Sequence, residues 1–116
     1  ITDYRIFKKD IIKTLHISKD SVFMSENLDF ENTDFLLDAS SENLQGGSGK
    51  CFDWNILNDA PVEKLFIAGG LKPDNILDLL CKYTPKCVDV SSGIENKIGH
   101  KDHNLMSDFV DKIRAY

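Results

Sequence analysis

The chain has 116 residues, is 41% hydrophobic and 28% charged, and carries a formal net charge of −5 at pH 7. That balance argues against a nucleic-acid surface, which needs clustered Lys and Arg, and no run of about 18 apolar residues is present to form a membrane-spanning helix. Acidity does not exclude a phosphate ligand, because backbone amides and helix dipoles hold phosphate without basic side chains.

In chain order, Asp3 to Lys9 reads as the end of a helix, and the β-branched run Ile11 to Ile17 as a strand. A short amphipathic stretch follows from Ser21 to Leu28. Phe35-Leu36-Leu37 forms a second strand ending at Asp38, followed by a polar loop through Lys50 that contains Gly46, Gly47 and Gly49. A short helix is expected near Trp54 to Leu57. The strand Leu65 to Ala68 runs into Gly69 and Gly70, and Pro73 suits the first position of the next helix. Ile76, Leu77, Leu80 and Tyr83 mark one buried stripe of that helix. The fourth strand, Cys87 to Val90, leads through Ser91-Ser92-Gly93 and a loop containing Gly99 to a last helix, with Leu105, Met106, Phe109, Val110 and Ile113 at helical spacing. Strands alternating with helices imply a parallel sheet, whose strand C-termini share one rim.

Six of the seven glycines therefore gather on a single rim. Glycine lets the backbone approach a ligand and adopts positive φ without strain, so rows of N–H groups at these turns can cradle an anion. A phosphate site is the natural reading, built from Gly47, Ser48 and Gly49, from Gly69 and Gly70, and from Ser92 and Gly93. Any one of these glycine turns can equally be a tight turn and nothing more. Lys50 is placed to add charge, whereas Lys72 carries no functional expectation.

Cys51, Cys81 and Cys87 are an odd number with no C-x-x-C pair, which fits neither a disulfide framework nor a zinc site. They read as reduced thiols in a cytoplasmic protein, Cys81 and Cys87 as packing residues. His16, His100 and His103 are scattered, so no metal and no cofactor is expected. Asp102 and His103 read as solvated residues at the start of the last helix, and Asp53 and Glu95 as stabilisers of loops and helix starts.

Four βα units are half of a (β/α)8 barrel, which needs eight units and about 250 residues. An open sheet would expose one edge at Ile11–Ile17, another at Cys87–Val90, and the apolar side chains of a barrel interior. A missing N-terminal half, a second copy of the chain or a rearranged open sheet would each cover them. The start in what reads as the tail of a helix favours the first, with residues 1–116 as the C-terminal half of one barrel domain.

The succession LLDAS, GGSGKCFDW, IAGGLKPDNI, VDVSSGIE and GHKD resembles the C-terminal half of phosphoribosylanthranilate isomerase, from tryptophan biosynthesis. A lone GG or SG is weak evidence. GGSGK followed by FDW and AGGL-x-P-x-N is far more discriminating, and it favours this family over related sugar-phosphate barrels.

The resemblance implies an Amadori rearrangement of N-(5-phosphoribosyl)anthranilate to 1-(2-carboxyphenylamino)-1-deoxyribulose 5-phosphate. A general acid protonates the ribose ring oxygen, and a general base removes the C2′ proton. Asp38 in LLDAS matches the family's acid, an aspartate ending the sixth strand, and Asp89 matches an aspartate that lines the site and is expected to help position substrate. Read without the family, Asp38 could simply cap a turn and Asp89 could hydrogen-bond inside the sheet. The family's base is a cysteine ending the first strand, which has no counterpart here. Cys51 stands where threonine is usual, near the phosphate end, and is not expected to replace it. The fragment alone is therefore expected to be inactive. The alternative is a non-catalytic phosphate-binding half-barrel or assembly module.

Overall fold

The computed structural model describes residues 9–17, 28–39 and 54–116. Strand β1 (Ile11–His16) pairs with β2 (Thr33–Asp38), β2 with β3 (Leu65–Ala68), and β3 with β4 (Cys87–Val88), each pair parallel. The order across the sheet is β1-β2-β3-β4, the order in the chain. Among the described residues β1 and β4 are thus its two edges, as the sequence led us to expect.

The two faces of the sheet differ. The register sets Phe35 beside Leu65 and Leu37 beside Ile67, and all four are buried on one face. Helix α1 (Ile76–Leu80) adds Ile76 and Leu79 to the same core, and α2 (His103–Ala115) adds Phe109. Because side chains alternate along a strand, Ile12, Asp34, Leu36, Asp38 and Phe66 occupy the other face. There Ile12 is 54% exposed, and Leu36 and Phe66 are only partly buried. Lys86 braces this face, with Nζ 2.6 Å from Asp34 Oδ1 and 5.7 Å from the centre of the Phe66 ring.

Several elements differ from the sequence reading. β4 ends at Val88 rather than Val90, although the Asp89 N–H still donates to the Ile67 carbonyl at 2.8 Å. The helix expected from Pro73 begins at Ile76, preceded by a turn in which the Lys72 carbonyl accepts from the N–H groups of Asn75 and Ile76. Its buried stripe is Ile76, Leu79 and Leu80 with Tyr83 beside them, while Leu77 is exposed. Positions i, i+3, i+4 and i+7 share a helix face, and i+1 is rotated about 100° away. In α2 only Phe109 is buried. Leu105 and Ile113 are partly buried, and Met106 and Val110 are exposed. Trp54–Leu57 is a 3-10 turn with Trp54 and Leu57 buried. Cys81 and Cys87 are exposed free thiols, not packing residues: Cys81 follows the last turn of α1, and Cys87 lies on an edge strand, on the less covered face.

One element was not anticipated. Between β4 and α2 the chain forms a 3-10 turn at Ser92–Ile94 and then an antiparallel hairpin, β5 (Glu95–Lys97) and β6 (His100–Lys101). Gly99, at φ 78°, turns it. Asp102 then starts α2, its Oδ1 accepting from the N–H groups of Asn104 (2.8 Å) and Leu105 (3.1 Å). This is an N-cap, which satisfies donors at the helix start that lack an intrahelical partner. The expected helical tail before Lys9 and the amphipathic stretch before Leu28 lie outside the described residues.

Candidate functional site

The strand ends on one rim surround a cleft of about 210 Å³ lined by Asp38, Ala68, Gly69, Gly70, Leu71, Asp89, Val90, Ser91 and Ser92. Asp38 reaches it because it is the last residue of β2 and its backbone remains tied into the sheet. The Asp38 carbonyl accepts from the Ile17 N–H at 3.1 Å, and the following Ala39 N–H donates to the Ala68 carbonyl at 3.1 Å. His16 is its register partner on β1, with Nδ1 3.7 Å from Asp38 Oδ2. Asp89 enters the same cleft one residue beyond β4.

Gly69 and Gly70 follow β3 with φ of 95° and 68°, a left-handed pair that side chains rarely adopt. Asn75 latches this turn to the start of α1. Its Nδ2 donates to the Gly70 carbonyl, and its Oδ1 accepts from the Lys72 N–H, both at 2.9 Å. The second bond closes the turn that precedes α1, the Asn75 side chain accepting from an amide three residues earlier. Asn75 was part of the AGGL-x-P-x-N pattern, but its two-sided role becomes visible only in three dimensions.

Gly93 has a different reason to be glycine. A Cβ there would stand 1.7 Å from the Leu71 carbonyl oxygen, so the turn after β4 presses directly on the loop after β3. Gly93 adjoins the cleft without being among the residues that line it. At the start of the same turn, Lys101 Nζ donates to the Ser91 carbonyl (2.7 Å) and to Ser91 Oγ (3.3 Å), and also to Glu95 Oε1 (2.7 Å). Glu95 Oε2 accepts from the Gly99 N–H at 3.1 Å. The Lys101 ammonium, and next the Gly99 amide, hold the Glu95 carboxyl below its ordinary pKa. A depressed carboxyl contributes stability above the ordinary glutamate range and loses it as the pH falls through the folded-state value.

Of the residues singled out from sequence, Asp38, Gly69, Gly70, Asp89 and Ser92 thus meet at one cleft, Gly93 stands next to it, and Gly47, Ser48, Gly49, Lys50, Cys51 and Asp53 lie outside the described residues. Ser91 and Lys101 were not singled out as site residues, whereas Glu95, read as a stabiliser of loops, does hold the Gly99 turn, its pairing with Lys101 being the part not foreseen. The charged side chains among the described lining residues are both acidic, so an anionic group would have to be held by backbone N–H groups, away from the carboxylates. Among the described residues no three of His, Cys, Asp and Glu come together as a metal site, and no helix is long and apolar enough to cross a membrane.

Residues 2–112 match the family model described as N-(5'phosphoribosyl)anthranilate (PRA) isomerase. The N-(5'-phosphoribosyl)anthranilate isomerase of Magnetococcus marinus is 49% identical over 80 residues, which are 68% of this chain and 38% of that protein. That of Legionella pneumophila (strain Corby) is 40% identical over 111 residues, 94% of this chain and 53% of that one. The crystal structure of phosphoribosyl anthranilate isomerase from Thermotoga maritima superposes with a TM-score of 0.69 at 33% identity, over 90% of this chain and 51% of that chain. The chain spans about half the length, or less, of these relatives.

Proposed function

The chain belongs to the N-(5'-phosphoribosyl)anthranilate isomerase family, and from that premise we propose that it is the C-terminal half of such an enzyme's (β/α)8 barrel, carrying the proton donor and the phosphate site. β1 to β4 correspond in this reading to the family's fifth to eighth strands. The observation that carries the proposal is the convergence of Asp38, Asp89 and the glycine turns on one cleft at the C-terminal rim, where barrel enzymes place their chemistry.

Asp38, as the general acid, gives a proton to the ribose ring oxygen as the C1′–O bond breaks, leaving an open-chain protonated Schiff base. A base then takes the C2′ proton, and the electrons of that C–H bond form the enolamine, which tautomerises to the ketone. That base is the cysteine ending the family's first strand, so it comes from the other half of the barrel. Asp89 positions the sugar. The amides of Gly69, Gly70, Ser92 and Gly93, joined by Gly47, Ser48 and Gly49, hold the phosphate, which explains how an acidic rim takes an anion. The reaction needs no cofactor. The free thiols at Cys81 and Cys87 suit a reducing cytoplasm.

The test is Asp38→Asn in the full-length protein that carries this segment. Turnover of phosphoribosylanthranilate is expected to fall by about 10²–10⁴-fold, the usual contribution of a general acid, with inhibition by inorganic phosphate unchanged. Undiminished turnover would overturn the assignment. Phosphate binding without turnover in the unaltered protein would favour the non-catalytic module.

A further inference from the structure

We propose that Lys101 is a positioning residue for the phosphate end of the cleft: held by Glu95, its ammonium fixes the Ser91–Gly93 turn in the shape that lines the site. This rests on reading the cleft as a phosphoribosyl site. An ammonium group has three N–H donors, and Lys101 has three acceptors, the Ser91 carbonyl, Ser91 Oγ and Glu95 Oε1, at 2.7, 3.3 and 2.7 Å. Its donors are therefore fully used by protein. Lys101 is not a direct ligand of an anion, although a lysine so near an anion site invites that assignment. Its charge acts through the turn.

The hairpin exists in a form that delivers this lysine. Glu95 and Lys101 are register partners across β5 and β6, so opposite charges face each other as a cross-strand pair. The second Glu95 oxygen ties down Gly99 at the hairpin's turn, and the Asp102 N–H returns to the Ile94 carbonyl at 2.8 Å. The carboxylate thus has one oxygen on the lysine and one on the backbone, which fixes the ammonium in space. At the other end of the turn, the Leu71 carbonyl abuts Gly93. The turn is clamped at Ser91 by the ammonium and stopped at Gly93 by backbone, and that stop belongs to the loop of Gly69 and Gly70. The two described phosphate-site turns therefore keep a fixed separation. An isolated exposed ion pair contributes little to stability, so the clamp's effect is expected in the geometry of one turn rather than in global stability.

The test uses Lys101→Met, Glu95→Gln, their double variant and Lys101→Arg in the full-length protein. In the first two, KM for phosphoribosylanthranilate and the inhibition constant of inorganic phosphate are expected to rise together by about tenfold, as for loss of one charge-assisted hydrogen bond. The value of kcat is expected to stay within about twofold, since the interaction is with a group remote from the reacting atoms. The double variant should be no worse than the poorer single one, because both break one clamp, and Lys101→Arg should restore most of the loss. Amide exchange at Ser92 and Gly93 should accelerate in Lys101→Met. Unchanged KM and phosphate inhibition beside a lowered melting temperature would overturn the proposal, leaving a merely structural pair. If the unaltered protein neither turns over substrate nor binds phosphate, the reading of the cleft fails instead. The clamp is then judged by amide exchange alone, and no acceleration at Ser92 and Gly93 overturns it.

Discussion

A side chain on Gly93 would collide with three backbone atoms, Leu71 O at 1.7 Å, Leu71 C at 2.8 Å and Lys72 Cα at 3.0 Å. Backbone has no alternative rotamer, so the two loops must part. Gly93→Ala is expected to destabilise the protein by about 3 kcal/mol or more, at or above the upper end of overpacking costs, and to weaken phosphate inhibition in parallel. Gly70 offers the contrast. It has open space around its missing Cβ but a φ of 68°, so Gly70→Ala is expected to cost only about 1–2 kcal/mol of left-handed strain. Denaturant titration of the two variants separates the cases, and equal losses would contradict the steric account. Both glycines stood out in the sequence as members of clusters that follow apolar runs. Their different reasons did not, because one depends on local φ and the other on a contact with a loop far away in the chain. Asp38 was legible for a simpler reason, since a carboxylate ending an apolar strand falls at the rim whatever the details of packing; Asp89 was read inside a strand reaching Val90 and instead stands one residue beyond β4.

Elements were legible where burial is one-sided and the run is long enough to show a period. α2 was read at nearly its true extent, and β3 to the residue. The α1 stripe was misassigned at Leu77, and the structure gives the choice an energetic consequence. Leu79 is fully buried and Leu77 is exposed. Leu79→Ala is expected to cost about 2–5 kcal/mol, the range for large-to-small core changes, and Leu77→Ala less than about 1 kcal/mol, as for a surface position. Comparable losses at the two sites, by thermal or chemical denaturation, would mean that Leu77 is buried against a part of the protein outside these elements. The hairpin of β5 and β6 escaped the sequence reading because its strands are two and three residues long and mostly polar. Alternation over so few residues carries no period, and its strongest bond, Glu95 to Lys101, reads in sequence as two unrelated charges.

At the scale of the whole molecule, the parallel order of the strands was legible from the alternation of apolar runs and helices, but its closure was not. An open doubly covered sheet and half of a barrel need the same run of strands and helices, and they differ only in what meets the second face. Parallel sheets are ordinarily covered on both faces. Here Phe35, Leu37, Leu65 and Ile67 are buried beneath the helices, while on the opposite face Ile12 is 54% exposed and Leu36 and Phe66 are only partly covered. Among the described residues the edge strands β1 and β4 each pair with one neighbouring strand, and edge strands invite further pairing. A half-barrel meets both demands at once, because the remaining strands would join the edges and fill the inner face. The 116-residue chain on its own is therefore expected to bind an apolar fluorescent dye and to sediment as more than a monomer. Supplying the family's N-terminal half as a separate polypeptide is expected to give a complex of one copy of each, with dye binding lost. Phe66→Glu should weaken that complex, because it buries a charge in the joined interior, while sparing the core beneath the helices. A dye-silent monomer of the 116-residue chain would mean that its own residues already cover the inner face, and the half-barrel reading would fall.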